Sequence, residues 1–170
     1  MPGRLQAWYG FSELAALGDR GVELADNLEL AELTRLRSLL HPDEGRHVAV
    51  RIRVGRDTRD RLKMTLTFEA RLRLVCQRCL EPMEFLVDEN VEWFVLESQS
   101  ERTVIDADAD AIVLSEERVR FADLVEDELI VSLPLVPRHA SIDECGALAQ
   151  NLKSILTQQG SEQTSATQEV

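Results

Sequence analysis

The sequence predicts an α+β protein: an antiparallel β-meander or partial barrel of long strands, with N- and C-terminal helices packed on it. Three observations carry that prediction. Residues 47–54 and 61–76 alternate apolar and polar positions in two long runs. "GRDTRD" between them supplies turn chemistry. Helical spacing of apolar residues appears before residue 41 and again after residue 120.

The elements follow in order. After a short N-terminal segment, "LELAELTRLRSLLHP" predicts a helix over 28–40, with Asp26 or Asn27 capping its start, Leu33, Leu36 and Leu40 at helical spacing, and Pro42 ending it. "RHVAVRIRV" switches to period two: Val48, Val50, Ile52 and Val54 share one face, while His47, Ala49, Arg51 and Arg53 share the other. "RLKMTLTFEARLRLVC" holds the alternation for sixteen residues, with Leu62 through Cys76 on the even, apolar side and Arg61, Lys63, Arg71 and Arg73 on the odd side. So long a run implies a sheet with one buried and one wet face. "MEFLVDENVEWFVL" is a third strand, with Phe85, Val87, Val91, Trp93 and Val95 turned to the core. "DADAD" (106–110) is a linker. "FADLVEDELIVSLPLVP" returns to helical spacing through Phe121, Leu124, Val125 and Leu129, carries Asp123, Glu126 and Asp127 in its N-terminal half, and stops at Pro134 and Pro137. A last short helix is expected around "CGALAQNLKSILTQ", and the final "QGSEQTSATQEV" lacks the apolar content to fold. The expected organisation is one domain over residues 1–157 and a disordered tail over 158–170.

Composition bounds the function. With 170 residues and 44% apolar content the chain can build a sizeable core. No apolar run approaches the ~18 residues of a membrane span, and "MPGRLQAWYGFSEL" lacks the apolar stretch of a secretory signal. Three cysteines do not make a disulfide framework. These features predict a cytoplasmic protein with reduced thiols and no membrane partner. The net charge of -12 hides an asymmetry: residues 46–78 hold ten Lys/Arg against three acids, while the remainder holds nine basic and twenty-eight acidic residues. Half the basic charge is concentrated in a fifth of the chain, as in a contact surface.

Within that segment Arg51 and Arg53, Arg61 and Lys63, and Arg71 and Arg73 are i, i+2 pairs, each on one strand face about 6.8 Å apart. Gathered by antiparallel pairing, and with Arg78 at their end, they could track a phosphate backbone. The competing reading is a solvated sheet face whose charges discourage edge pairing; Thr65 and Thr67 interrupt the cations and no aromatic residue interleaves them.

Cys76 and Cys79 admit three readings. Zinc needs two more ligands, for which the sequence offers Cys145 and one of His41, His47 and His139, and "RHASIDEC" places His139 near Cys145. A redox couple belongs at a strand-to-helix turn, whereas this pair joins two strands and is followed by Pro82. Packing is the third, since Cys76 is in phase with the buried face of its strand. No nucleophile elbow, P-loop or metalloprotease motif is present, so neither an enzyme nor a small-molecule substrate is expected. "EDE" (126–128) reads most simply as the solvated face of its helix, or else as an acidic surface for a basic protein.

"VCQRCLEPM" together with "LVEDELIVSLPLVPRH", about fifty residues on, resembles the YceD family, the large ribosomal RNA subunit accumulation proteins. The resemblance covers most of residues 45–157. It implies a non-enzymatic factor in the synthesis, processing or stability of large-subunit (23S) ribosomal RNA, partnered by that RNA's precursor; basic ribosomal proteins are the alternative partner that the acidic surface, and not the resemblance, offers. By that resemblance Cys76, Cys79 and Pro82, with Arg78, form one signature, and Glu126, Asp127, Pro134 and Pro137 the other. Some relatives carry additional C-terminal cysteine pairs suited to a metal; this chain has only Cys145 there.

Overall fold

A computed structural model describes residues 4–42, 47–146 and 151. A short strand β1 (Trp8–Tyr9) leads into helix α1 (Phe11–Gly18), strand β2 (Val22–Glu29) and the short helix α2 (Thr34–Arg37). Three long strands follow, β3 (His47–Arg56), β4 (Leu62–Val75) and β5 (Pro82–Leu96), then β6 (Ala111–Val113), β7 (Val119–Arg120) and helix α3 (Phe121–Ser132). The main sheet has the order β2-β3-β4-β5-β6; its first four strands are antiparallel and β6 joins parallel to β5. β1 pairs with β7 in a separate two-stranded ribbon. The predicted class is observed, as an open sheet and not a barrel.

Period-two alternation explains the long strands directly. Val50, Ile52 and Val54 of β3 register against Phe68, Leu66 and Met64 of β4, and all of these, with Val48, are buried. On β5, Val87, Trp93 and Val95 are buried, while Phe85 and Val91 are half-buried against the same core. Phe121, Ala122, Val125 and Leu129 of α3 close over this face with Leu14 of α1. α1 crosses the start of β4 so closely that a Cβ on Gly18 would stand 2.3 Å from Leu62 Cδ1. A larger residue at Gly18 would oblige the Leu62 side chain to repack.

The helix expected over 28–40 is not formed. Leu28 and Glu29 end β2, residues 30–32 make a 3-10 turn, and α-helix is confined to Thr34–Arg37. The leucines at helical spacing are nevertheless buried: Leu33, Leu36 and Leu40. The apolar pattern was satisfied by tight turns, because Leu24 and Leu28 gain more by completing the sheet edge opposite Ile52 and Val48. Helix α3 forms as predicted, with Leu124 only half-buried. The helix expected around "CGALAQNLKSILTQ" and the tail over 158–170 lie outside the described residues, apart from Cys145, Gly146 and Asn151.

The β3–β4 turn is fastened chiefly by Asp57, beside a longer Arg56–Asp60 ion pair at 3.6 Å. Asp57 accepts from the backbone N–H groups of Arg59 and Arg61, both at 2.9 Å, and pairs with the Arg61 guanidinium at 2.6 Å. The Arg61 side chain, with the backbone donors, draws the Asp57 carboxyl down from an ordinary 3.8 to about 2. A depressed carboxylate stabilises fully above its unfolded pKa, and the contribution disappears as pH falls through the folded value. Asp57→Asn is accordingly expected to flatten the acid limb of stability between about pH 4 and pH 2. Urea midpoints measured across that window check it; an unchanged acid limb would contradict the assignment.

Candidate functional site

Two places collect the residues singled out by the sequence: the wet face of the sheet, and the turn between β4 and β5. On the wet face Arg51 and Arg53 of β3 lie opposite Thr67 and Thr65, and Lys63, Arg71 and Arg73 follow along β4. The cations share a face as predicted. Their neighbours are carboxylates: Arg51 pairs with Glu23 at 3.3 Å, Lys63 with Glu92 at 2.8 Å, and Arg71 with Glu84 at 3.5 Å. Glu23 also stands opposite Arg53, and Glu84 opposite Arg73. Flanking strands β2 and β5 are acidic on this side, so antiparallel pairing interleaves the charges. Arg51, Glu23, Arg71 and Glu84 keep about half or more of their side-chain surface in water, where such pairs contribute only ~0–1 kcal/mol and can exchange partners. Arg61 is different in kind: besides Asp57 it donates to the Val104 carbonyl and stacks 4.4 Å over the Phe94 ring. It braces the turn.

The β4–β5 turn gathers both signature motifs. Cys76, Gln77, Arg78 and Cys79 form a tight loop closed by Leu80 N–H to the Cys76 carbonyl (2.9 Å) and Cys76 N–H to the Glu81 carbonyl (3.0 Å). Leu80 sits at φ +63°, a left-handed conformation that costs a non-glycine residue roughly 1–2 kcal/mol. Pro82 begins β5 opposite Val75. The segment after α3 comes down onto this loop. Gln77 N–H donates to the Pro137 carbonyl at 2.8 Å, and the Arg78 guanidinium donates to the carbonyls of His139 (2.7 Å) and Ser141 (3.3 Å). Pro134 and Pro137 thus end the helix and keep the chain extended on its way to the loop. Arg78 is spent on this docking and not on the sheet face.

Cys76, Cys79, His139 and Cys145 meet there, with their ligating atoms all within 4.8 Å of one another. His139 Nδ1 lies 3.5 Å from Cys79 Sγ and 3.7 Å from Cys145 Sγ. Cys76 and Cys145 are buried, Cys76 as its strand phase predicted, and Cys79 and His139 are half-buried. Burial alone would push the Cys76 thiol up, but backbone N–H groups of His139, Arg78 and Cys79 turned to its sulfur bring it down to about 5. Burial, with Cys79 beside it, pushes Cys145 up, against an opposing pull from Arg78.

The second signature has a structural half that sequence reasoning did not anticipate. Glu126 is on the inner side of α3 and not on its solvated face: it is buried, and its carboxylate accepts from the backbone N–H groups of Arg35 (2.7 Å) and Leu36 (3.1 Å) and from the Arg35 guanidinium (2.9 Å). It therefore caps α2 from across the molecule. Asp127 takes the other arm of Arg35 at 2.5 Å. Arg35 itself carries no sequence signal, but Glu126 did: positions 122, 125, 126 and 129 share one helical face.

The YceD family, described as Large ribosomal RNA subunit accumulation protein YceD, matches residues 64–169. The chain belongs to the YceD family. That stretch runs from β4 through the cysteine turn, α3 and the docked segment, so it contains both signatures and all four clustered ligands. No curated protein and no solved structure matches the chain. The family is named for the accumulation of large-subunit ribosomal RNA, which places it in the biogenesis of that RNA. No described helix is long and apolar enough to cross a membrane.

Proposed function

We propose that this protein is a non-enzymatic factor in large-subunit ribosomal RNA biogenesis that touches the precursor RNA through the wet face of its sheet. The family match supports the process. The observation that carries the contact is the row of cations on the wet face of β3 and β4, with exposed Arg51 and Arg53 in one group and exposed Arg71 and half-buried Arg73 in another, four residues or ~14 Å along β4 from the position opposite Arg51. Phosphates would replace Glu23 and Glu84 as partners of these arginines at small cost, because the pairs are solvated. The strongly acidic remainder of the chain keeps non-specific affinity low.

The test is the Arg51→Gln, Arg53→Gln, Arg71→Gln, Arg73→Gln variant, which removes charge without setting new carboxylates beside Glu23 and Glu84. Its ultraviolet crosslinks to precursor RNA in cells are expected to fall sharply, and the slope of log K against log salt in vitro to drop by about 3. Crosslinking equal to the parent's would refute the sheet-face contact.

A second reading, an adaptor for a basic protein, draws on one further observation. Burial and the nearby charges of Asp110, Asp127 and Glu89 raise the Glu128 carboxyl above its ordinary value, which marks a cluster of like charges beside α3. A basic ribosomal protein would relieve that repulsion. Under this reading Asp110→Asn with Glu128→Gln releases the partner, while crosslinks to RNA are absent in the parent as well. Glu126 does not belong in such a variant, since its removal would act through the fold.

A further inference from the structure

We propose that Cys76, Cys79, His139 and Cys145 form a tetrahedral zinc site that fastens the segment after α3 to the β4–β5 turn. This stands apart from RNA contact and holds whichever partner the protein serves.

The geometry carries it. Zinc bonds of ~2.3 Å to sulfur and ~2.05 Å to nitrogen at the tetrahedral angle separate the two ligand atoms by about 3.6 Å. His139 Nδ1 stands 3.5 and 3.7 Å from the sulfurs of Cys79 and Cys145. All four ligand atoms converge within 4.8 Å, although they come from two segments sixty residues apart. Three thiols and one imidazole are a borderline-soft, four-coordinate set, which selects zinc over the oxygen-seeking cations. A redox couple would account for two sulfurs and leave the third and the imidazole unexplained.

The surroundings suit thiolates. Backbone N–H groups of Arg78, Cys79 and His139 turn toward the Cys76 sulfur. The Arg78 guanidinium lies beside Cys145, and its buried Nε has no hydrogen-bond partner. Three thiolates, a neutral imidazole and Zn2+ sum to one negative charge, which Arg78 balances. The turn also holds Leu80 in a left-handed conformation that its own side chain disfavours, as happens where surrounding bonds over-determine the backbone.

Packing shows why a metal is needed. Among the described residues, the chain beyond Leu133 adds no side chain to the main core; Cys76 and Cys145 form a small satellite cluster with Cys79, Met83 and Ile142 against it. So little apolar surface holds a loop weakly, and a metal crosslink supplies what the hydrophobic effect does not. Binding replaces three S–H protons with metal bonds, releasing up to three protons and oxidising nothing.

The test uses the full chain purified under reductant without chelator. Elemental analysis is expected to find about one equivalent of zinc. Cobalt added to the metal-free protein should produce the visible bands of a tetrahedral thiolate complex, displaced by zinc. Cys79→Ser and His139→Ala should each weaken metal binding at least tenfold, while His139→Cys, which restores a fourth soft ligand, should keep the tetrahedral cobalt spectrum. Far-ultraviolet circular dichroism on each variant separates lost metal from lost fold. Zinc below about a tenth of an equivalent even after reconstitution, in folded parent protein, would overturn the site. An octahedral cobalt spectrum, or binding indifferent to His139→Ala, would overturn this ligand set.

Discussion

Glu126→Ala is expected to lower the unfolding free energy by about 3 kcal/mol, enough to threaten a domain whose total is ~5–15 kcal/mol. The carboxylate is buried and serves three donors at once: the N–H groups of Arg35 and Leu36 and the Arg35 guanidinium. Truncation strands two backbone donors at the start of α2, and the one at Leu36 is buried. Arg35 suffers less, since half of its side chain already reaches water and Asp127 remains beside it. Glu126→Gln keeps an acceptor for the amides but loses the charge, so roughly half the effect is expected. With an m-value near 2 kcal/mol/M the urea midpoint of the alanine variant should fall by about 1.5 M. A shift under about 0.5 M would mean that water replaces the carboxylate cheaply, and that the clamp between α2 and α3 contributes little.

Phe121→Ala should be as damaging, at about 3–5 kcal/mol. Phe121 is fully buried at the first turn of α3, and its ring stacks on Tyr9 with centroids 4.6 Å apart. Tyr9 belongs to the strand that pairs with β7, immediately before α3. Losing the ring therefore opens a cavity and loosens the N-terminal segment together. Two readouts follow: a lowered urea midpoint, and faster amide exchange at Trp8 and Tyr9. Val131→Ala is the control, because Val131 is on the same helix but 78% exposed. If the two variants unfold at the same midpoint, the packing account of this corner is wrong.

The candidate site was legible in unequal parts. The cysteine turn could be found as a motif, and His139 and Cys145 could be named as the other available ligands. Their convergence could not be deduced, because it depends on where α3 ends and on Arg78 and Gln77 holding the returning chain by its carbonyls. The arginine face was legible strand by strand, since period-two alternation fixes which side chains share a face. Its neutralisation was not. Glu23 and Glu84 lie far from their partners in the chain, and only the β2–β3 and β4–β5 registers set them beside Arg53 and Arg73.

By itself the sequence determined the long strands, the α3 helix and the family, because each is written in local periodicity or in contiguous motif. Alternation over sixteen residues has one stable solution, a half-buried strand, whatever surrounds it. Only the tertiary structure decided residues 22–40, where an apolar spacing compatible with a helix was drawn into a sheet edge and two tight turns by the open flank of β3. It also decided the place of Glu126, a charge that local pattern assigns to solvent and long-range hydrogen bonding brings inside. The reason is the same in both cases: propensity and pattern act over a few residues and a few tenths of a kcal/mol, and a partner supplied from elsewhere in the chain outweighs them.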